Sequence, residues 1–169
     1  MRLNLIFKAS ITLLCTTACT KQNPDQFLKS EIAQLKSSIE GLKPGLGEIM
    51  GTIQQHHAKL YFSGENKNWD LATYQLDEIR EGLDQATEVH EHFKDVKASL
   101  KDLRHMTDAS MEETKNAIKN QSKSQFLNGF KNLTTSCNQC HQAAEHGFIV
   151  IQIPAAPMFS NQKFTRGPK

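Results

Sequence analysis

Little in this sequence looks like a charged tail, a repeat or a catalytic constellation, and each lack narrows what the chain can be. No run of like charge is long enough to form a basic or acidic arm, so nothing suggests a nucleic-acid surface. No internal repeat is evident, and 169 residues with a processed front suffice for one core but not two. No acid–base or nucleophilic grouping argues for an enzyme. The formal charge of +2 rests on Arg2 and Lys8; without residues 1–18 the chain carries 18 basic and 18 acidic side chains. Four cysteines are present, but Cys15 lies in the leader and Cys19 at its end. Only Cys137 and Cys140 remain for the folded part, with no spare cysteine for a structural bridge.

The front of the chain reads as an export signal. Arg2 and Lys8 supply the positive start, and Ala9 to Ala18 is uncharged, largely apolar and too short to span a bilayer. Thr16-Thr17-Ala18-Cys19 resembles a bacterial lipobox, with Leu13 and Leu14 lying slightly early for its leucine position. Residues 1–18 are therefore expected to be a signal peptide, and residues 19–26 a lipidated Cys19 followed by a polar tether. The expected location is the periplasmic side of a bacterial membrane, or the soluble periplasm if cleavage after Ala18 leaves Cys19 without lipid.

The remainder is dominated by helical periodicity, with strand character only in one short segment. Leu28, Ile32, Leu35, Ile39 and Leu42 form a heptad stripe ending at Pro44-Gly45, an N-terminal helical extension over residues 27–44. Leu46, Ile49, Met50, Ile53, His57 and Leu60 form a second stripe. Asn68 is placed to cap a third, Ala72, Leu76, Ile79, Leu83, Ala86, His90 and Phe93. Leu100, Leu103, Met111, Ala117 and Ile118 follow, interrupted by Thr107 and Ser110. The last helix starts at Ser122 and Gln125 and carries Phe126, Phe130, Leu133, Cys137, Cys140 and Ala144, with Gly147 placed to stop it. The expected fold is all-α: an antiparallel four-helix bundle over residues 45–147, then an extended C-terminal arm over 148–169. Pro154 and Pro157 exclude a helix from the arm, and its run Phe148 to Ile153 should lie over the bundle or a cofactor edge.

Cys137-Asn138-Gln139-Cys140-His141 is the attachment signature for c-type haem. On one helix the two thiols and the imidazole share a face about a turn apart, so the thiols can bond the porphyrin vinyl groups while His141 reaches iron. A chance match in a chain this long is on the order of one in a thousand. A zinc site lacks a second ligand pair, since His56, His57, His90, His92, His105 and His146 form no recognisable motif. A thioredoxin-like dithiol lacks its strand–helix unit, and a plain Cys137–Cys140 disulfide remains as the cofactor-free alternative.

On these residues the chain resembles class II c-type cytochromes, the cytochrome c prime and cytochrome c-556 group, over roughly Leu46 to His146. It departs from them in continuing 28 residues past His141 and in the helix before Pro44. The resemblance implies one covalent haem c held by Cys137 and Cys140, with His141 as proximal iron ligand. It also implies that the distal face meets residues 45–62, where Met50 or His57 could be the sixth ligand. These two are about 10 Å apart along the helix, so only one can bind. Met158 in the arm is a weaker option. The expected function is one-electron transfer with a redox partner protein. The alternatives are a five-coordinate haem that binds NO or CO, and a haem-free helical scaffold. Membrane attachment by the lipid and a homodimer are both compatible with this organisation.

Overall fold

The computed structural model describes residues 23–92 and 96–167. The signal segment, Cys19, the first tether residues and Phe93 lie outside the described residues. Every regular element described is helical: α1 (Pro24–Leu42), α2 (Leu46–Glu65), α3 (Trp69–Val89), α4 (Leu100–Arg104), α5 (Asp108–Lys119) and α6 (Lys123–Ala143), with a 3-10 turn His105–Thr107 joining α4 to α5. None is long and apolar enough to cross a membrane. The chain divides into two units, Met1–Leu42 and Lys43–Lys169.

In the first unit, α1 starts within the stretch read as tether, because Pro24 suits the first helical position, where no amide donor is needed. The Asn23 carbonyl accepts from the Gln26 and Phe27 amides at 2.9 and 3.0 Å, and its side chain accepts from the Asp25 amide at 3.2 Å. No residue of α1 is buried, including its apolar stripe.

In the second unit, α2 packs along α3 and α5 along α6, with further contacts between α2 and α6 and between α3 and α5. Phe126, Phe130, Leu133 and Leu60 are fully enclosed at the centre. Close approach depends on two glycines. A Cβ at Gly64 would sit 2.1 Å from the Phe126 ring, and one at Gly129 would sit 3.1 Å from the Thr114 backbone.

The helix limits follow local chemistry. Asn68 caps α3 by accepting from the Leu71 amide at 3.3 Å. The interruption expected at Thr107 and Ser110 is the 3-10 turn. There the Thr107 hydroxyl donates to the Arg104 carbonyl at 2.8 Å and the Ser110 hydroxyl to the Thr107 carbonyl at 3.0 Å. These bonds let both polar side chains be buried. The stop of α6 differs from expectation: the left-handed residue is Glu145 (φ 60°), not Gly147. The His146 amide donates to the His141 carbonyl at 2.7 Å and the Glu145 amide to the Gln142 carbonyl at 3.0 Å. That pair closes the helix two residues before the glycine. Lys67 (φ 56°) and Gln121 (φ 52°) close α2 and α5 in the same way.

After α6 the chain runs without regular structure, as the prolines require. It is pinned at both ends. Residues 149–151 are hydrogen-bonded to α6. Further on, Phe164 is buried against Phe62 with ring centres 5.6 Å apart, and its carbonyl accepts from Asn68 Nδ2 at 3.2 Å. The short segment with strand character is thus an extended strap, and the described residues contain no strand.

Candidate functional site

Cys137, Cys140 and His141 all open into one cavity of about 270 Å³. Its opposite wall is one face of α2: Gly47, Met50, Gly51, Gln54 and His57, spaced by three and four. Leu83 of α3, Leu100 of α4 and Ile149 and Ile151 of the strap complete it. A small cluster of Val96, Leu100 and Leu103 packs against Cys140 and Ala144, backing the cysteine side. The lining is overwhelmingly apolar, which suits a hydrophobic ligand. Gly47 and Gly51 contribute the space: a Cβ at either would meet nothing within 4 Å.

The strap fixes His141. Its Nδ1 lies 2.9 Å from the Ile149 carbonyl, and because a carbonyl only accepts, that nitrogen carries the proton. In the neutral ring this leaves the lone pair on Nε2, the arrangement a metal-binding histidine uses. Asn138, inside the Cys-x-x-Cys-His motif, holds the same strap. Its Nδ2 donates to the Ile151 carbonyl at 2.8 Å, while its Oδ1 accepts from the Ile151 amide at 2.7 Å. Ile149 and Ile151 thereby face the cavity, leaving Phe148 and Val150 strongly exposed.

Of the two residues expected on the other side, both line the cavity, but they differ in state. His57 is buried, with Nε2 2.9 Å from Thr134 Oγ1. The Thr134 hydroxyl spends its hydrogen on the Phe130 carbonyl at 2.9 Å, so His57 Nε2 is the donor. Burial pushes the His57 pKa down to about 4, in keeping with a neutral ring. Its ring also packs on Phe130 at 4.4 Å between centres. Met50 is half-buried and hydrophobically packed against the core. Met158 is exposed on the strap and does not line the cavity.

Cys137 and Cys140 are free thiols, not a disulfide. Burial, with a smaller contribution from neighbouring Cys140, pushes Cys137 up to about 12, and burial raises Cys140 as well. A dithiol that exchanges electrons with other thiols needs the opposite, a readily formed thiolate. Among the described residues no group of three or more His, Cys, Asp or Glu side chains could hold a bare metal ion. Two thiols and one imidazole opening into a shared apolar cavity are the donor set that a thiol-reactive prosthetic group would use.

No protein-family model matches the chain, and neither a curated protein nor a solved structure matches it. Sequence reasoning singled out the motif, Met50 and His57 and expected the run Phe148 to Ile153 over the bundle or a cofactor edge, but it missed Asn138, Gly47 and Gly51. Gly47 and Gly51 had a readable signal, a four-residue step flanking Met50 on the second stripe. Asn138 had none, because a polar residue at an unspecified motif position gives no hint of a partner 13 residues on.

Proposed function

We propose that this protein is an exported c-type cytochrome that carries one covalent haem and transfers single electrons. In this reading α2, α3, the broken α4–α5 element and α6 form an antiparallel four-helix bundle, related to the class II cytochromes. The observation that carries it is the shared apolar cavity into which both thiols and the Nε2-donating His141 open. Cys137 and Cys140 would hold haem c through thioethers, with His141 as iron ligand. Bound there, the iron would cycle between its ferric and ferrous states by one electron at a time. The residues around it do the rest: Ile149, Ile151, Leu83 and Leu100 exclude water, and the Ile149 carbonyl orients His141.

For the sixth position Met50 and His57 both line the cavity; because His57 Nε2 donates to Thr134, that ring would offer iron its Nδ1. A His141/Met50 pair would raise the potential relative to two histidines. The space beside Gly47 and Gly51 favours a second reading, an open iron that binds NO or CO. The export signal and a lipidated Cys19 would hold the domain on the periplasmic side of a membrane, where c-type haem is attached and a redox partner protein would meet it.

The test is optical spectroscopy of the protein made in cells that mature c-type haem, oxidised and reduced, with and without carbon monoxide. A low-spin spectrum indifferent to the gas supports a sixth protein ligand and electron transfer, and Met50→Ala and His57→Ala made separately show which residue supplies it. A high-spin spectrum that shifts with gas supports the open site, and absence of covalent haem by mass overturns both.

A further inference from the structure

The apolar stripe of α1 finds no cover in its own unit: Leu28, Ile32, Leu35, Ile39 and Leu42 are between 44% and 82% exposed. A helix stripe of this kind in water needs an occupant. We infer that α1 pairs with α1 of a second copy as a parallel, in-register two-stranded coiled coil, making the protein a homodimer.

Three features of α1 select that occupant. First, the steps of four and three place Ile32 and Ile39 at a positions and Leu28, Leu35 and Leu42 at d positions, the β-branched/leucine assignment that favours two parallel strands. Second, the flanking charges complement only that orientation. Glu31 occupies a g position and Lys36 the following e position, so a parallel pair brings Glu31 of each copy to Lys36 of the other, twice by symmetry. An antiparallel pair would instead face e against e, bringing Lys29 and Lys36 of one copy near those of the other. Third, off the apolar seam α1 carries two bases, Lys29 and Lys36, against two acids, Glu31 and Glu40. An interfacial membrane helix would be rich in lysine and arginine there. The inference is independent of the haem reading, since it uses no residue of the cavity.

The test is sedimentation equilibrium of the full-length chain in a mild detergent over a wide concentration range. A reversible shift from one copy to two is expected. Glu31→Lys should weaken the dimer roughly tenfold by replacing two attractions with repulsions, and Glu31→Lys with Lys36→Glu should restore it. Under mild oxidation Leu35→Cys should cross-link the copies, while Ser37→Cys, on the outer face, should not. Circular dichroism of each variant checks that α1 is still helical. A chain that remains monomeric overturns the inference, as does a dimer unmoved by Glu31→Lys. Binding of monomers to phosphatidylglycerol vesicles that Leu35→Lys abolishes would also overturn it, assigning the stripe to a lipid surface.

Discussion

Asn138 and Ile151 exchange two hydrogen bonds, at 2.8 and 2.7 Å, across a gap of 13 residues. One side chain thus satisfies both backbone groups of a strap residue that has no sheet partner. Two residues earlier the same strap delivers the Ile149 carbonyl to His141. Asn138 is therefore a positioning residue for the imidazole, acting through the strap. Asn138→Ala should destabilise the fold by about 1–2 kcal/mol, the net worth of two half-buried hydrogen bonds, measured by urea unfolding. In the haem-loaded protein it should also raise the reduction potential, because a loosened Ile149 carbonyl leaves His141 a weaker donor. Asn138→Asp, which keeps the acceptor but loses the donor, should fall between. An unchanged potential with lowered stability would confine Asn138 to fastening the strap.

Gly51 faces Cys137 and Cys140 across the cavity with nothing within 4 Å of its would-be Cβ. Gly51→Leu fills the space a ligand would use while improving the helix by about 1 kcal/mol. Covalent haem per polypeptide, measured by mass, should fall sharply while helix content and urea midpoint hold or rise. Gly64→Ala makes the opposite case. Its methyl would enter the fully buried Phe126 ring, so unfolding free energy should drop by about 1–3 kcal/mol or more wherever haem is absent.

The elements legible in the sequence were those whose signal is an apolar side chain at a helical step. Ile49, Ile53 and Leu60, then Leu76, Ile79 and Leu83, then Phe126, Phe130 and Leu133 all stand where their stripes put them, in the core. The cap at Asn68 was legible because its chemistry is local. The stop of α6 was not. Glu145 takes the left-handed conformation without the glycine that would advertise it, and Gly147 drew attention two residues too late. The cavity was half legible: the motif announces its cysteine wall, whereas Gly47 and Gly51 look like gaps in a stripe. His57 stood out by position, but its bond to Thr134 joins residues 77 apart and depends on how α2 meets α6.

The thiols give a prediction that separates a haem-attachment pair from a redox dithiol. With Cys137 pushed up to about 12, its thiolate near pH 8 is far scarcer than that of an ordinary thiol. Protein made without haem maturation should therefore react with iodoacetamide at Cys137 much more slowly when folded than in urea. Cys140, raised less by its burial, should react first. Rapid alkylation of Cys137 in the folded chain would show a thiolate held ready for exchange, which the cavity gives no charge to stabilise.

His57 gives the pH dependence. Its pKa is near 6.5 in an unfolded chain and is pushed down to about 4 by burial in the folded one. Between these values the unfolded state binds a proton that the folded state refuses, so stability rises with pH across the window. The contribution is complete above pH 6.5 and is lost progressively as the pH falls toward 4. Its full size is about 3 kcal/mol, from roughly 2.5 pH units at 1.36 kcal/mol each. Urea unfolding at several pH values should show this loss in the parent chain. In His57→Asn, which cannot take up the proton, the parent-minus-variant difference should shrink by that amount between pH 7 and pH 4. If the difference stays flat, the ring is charged or hydrated in the folded protein.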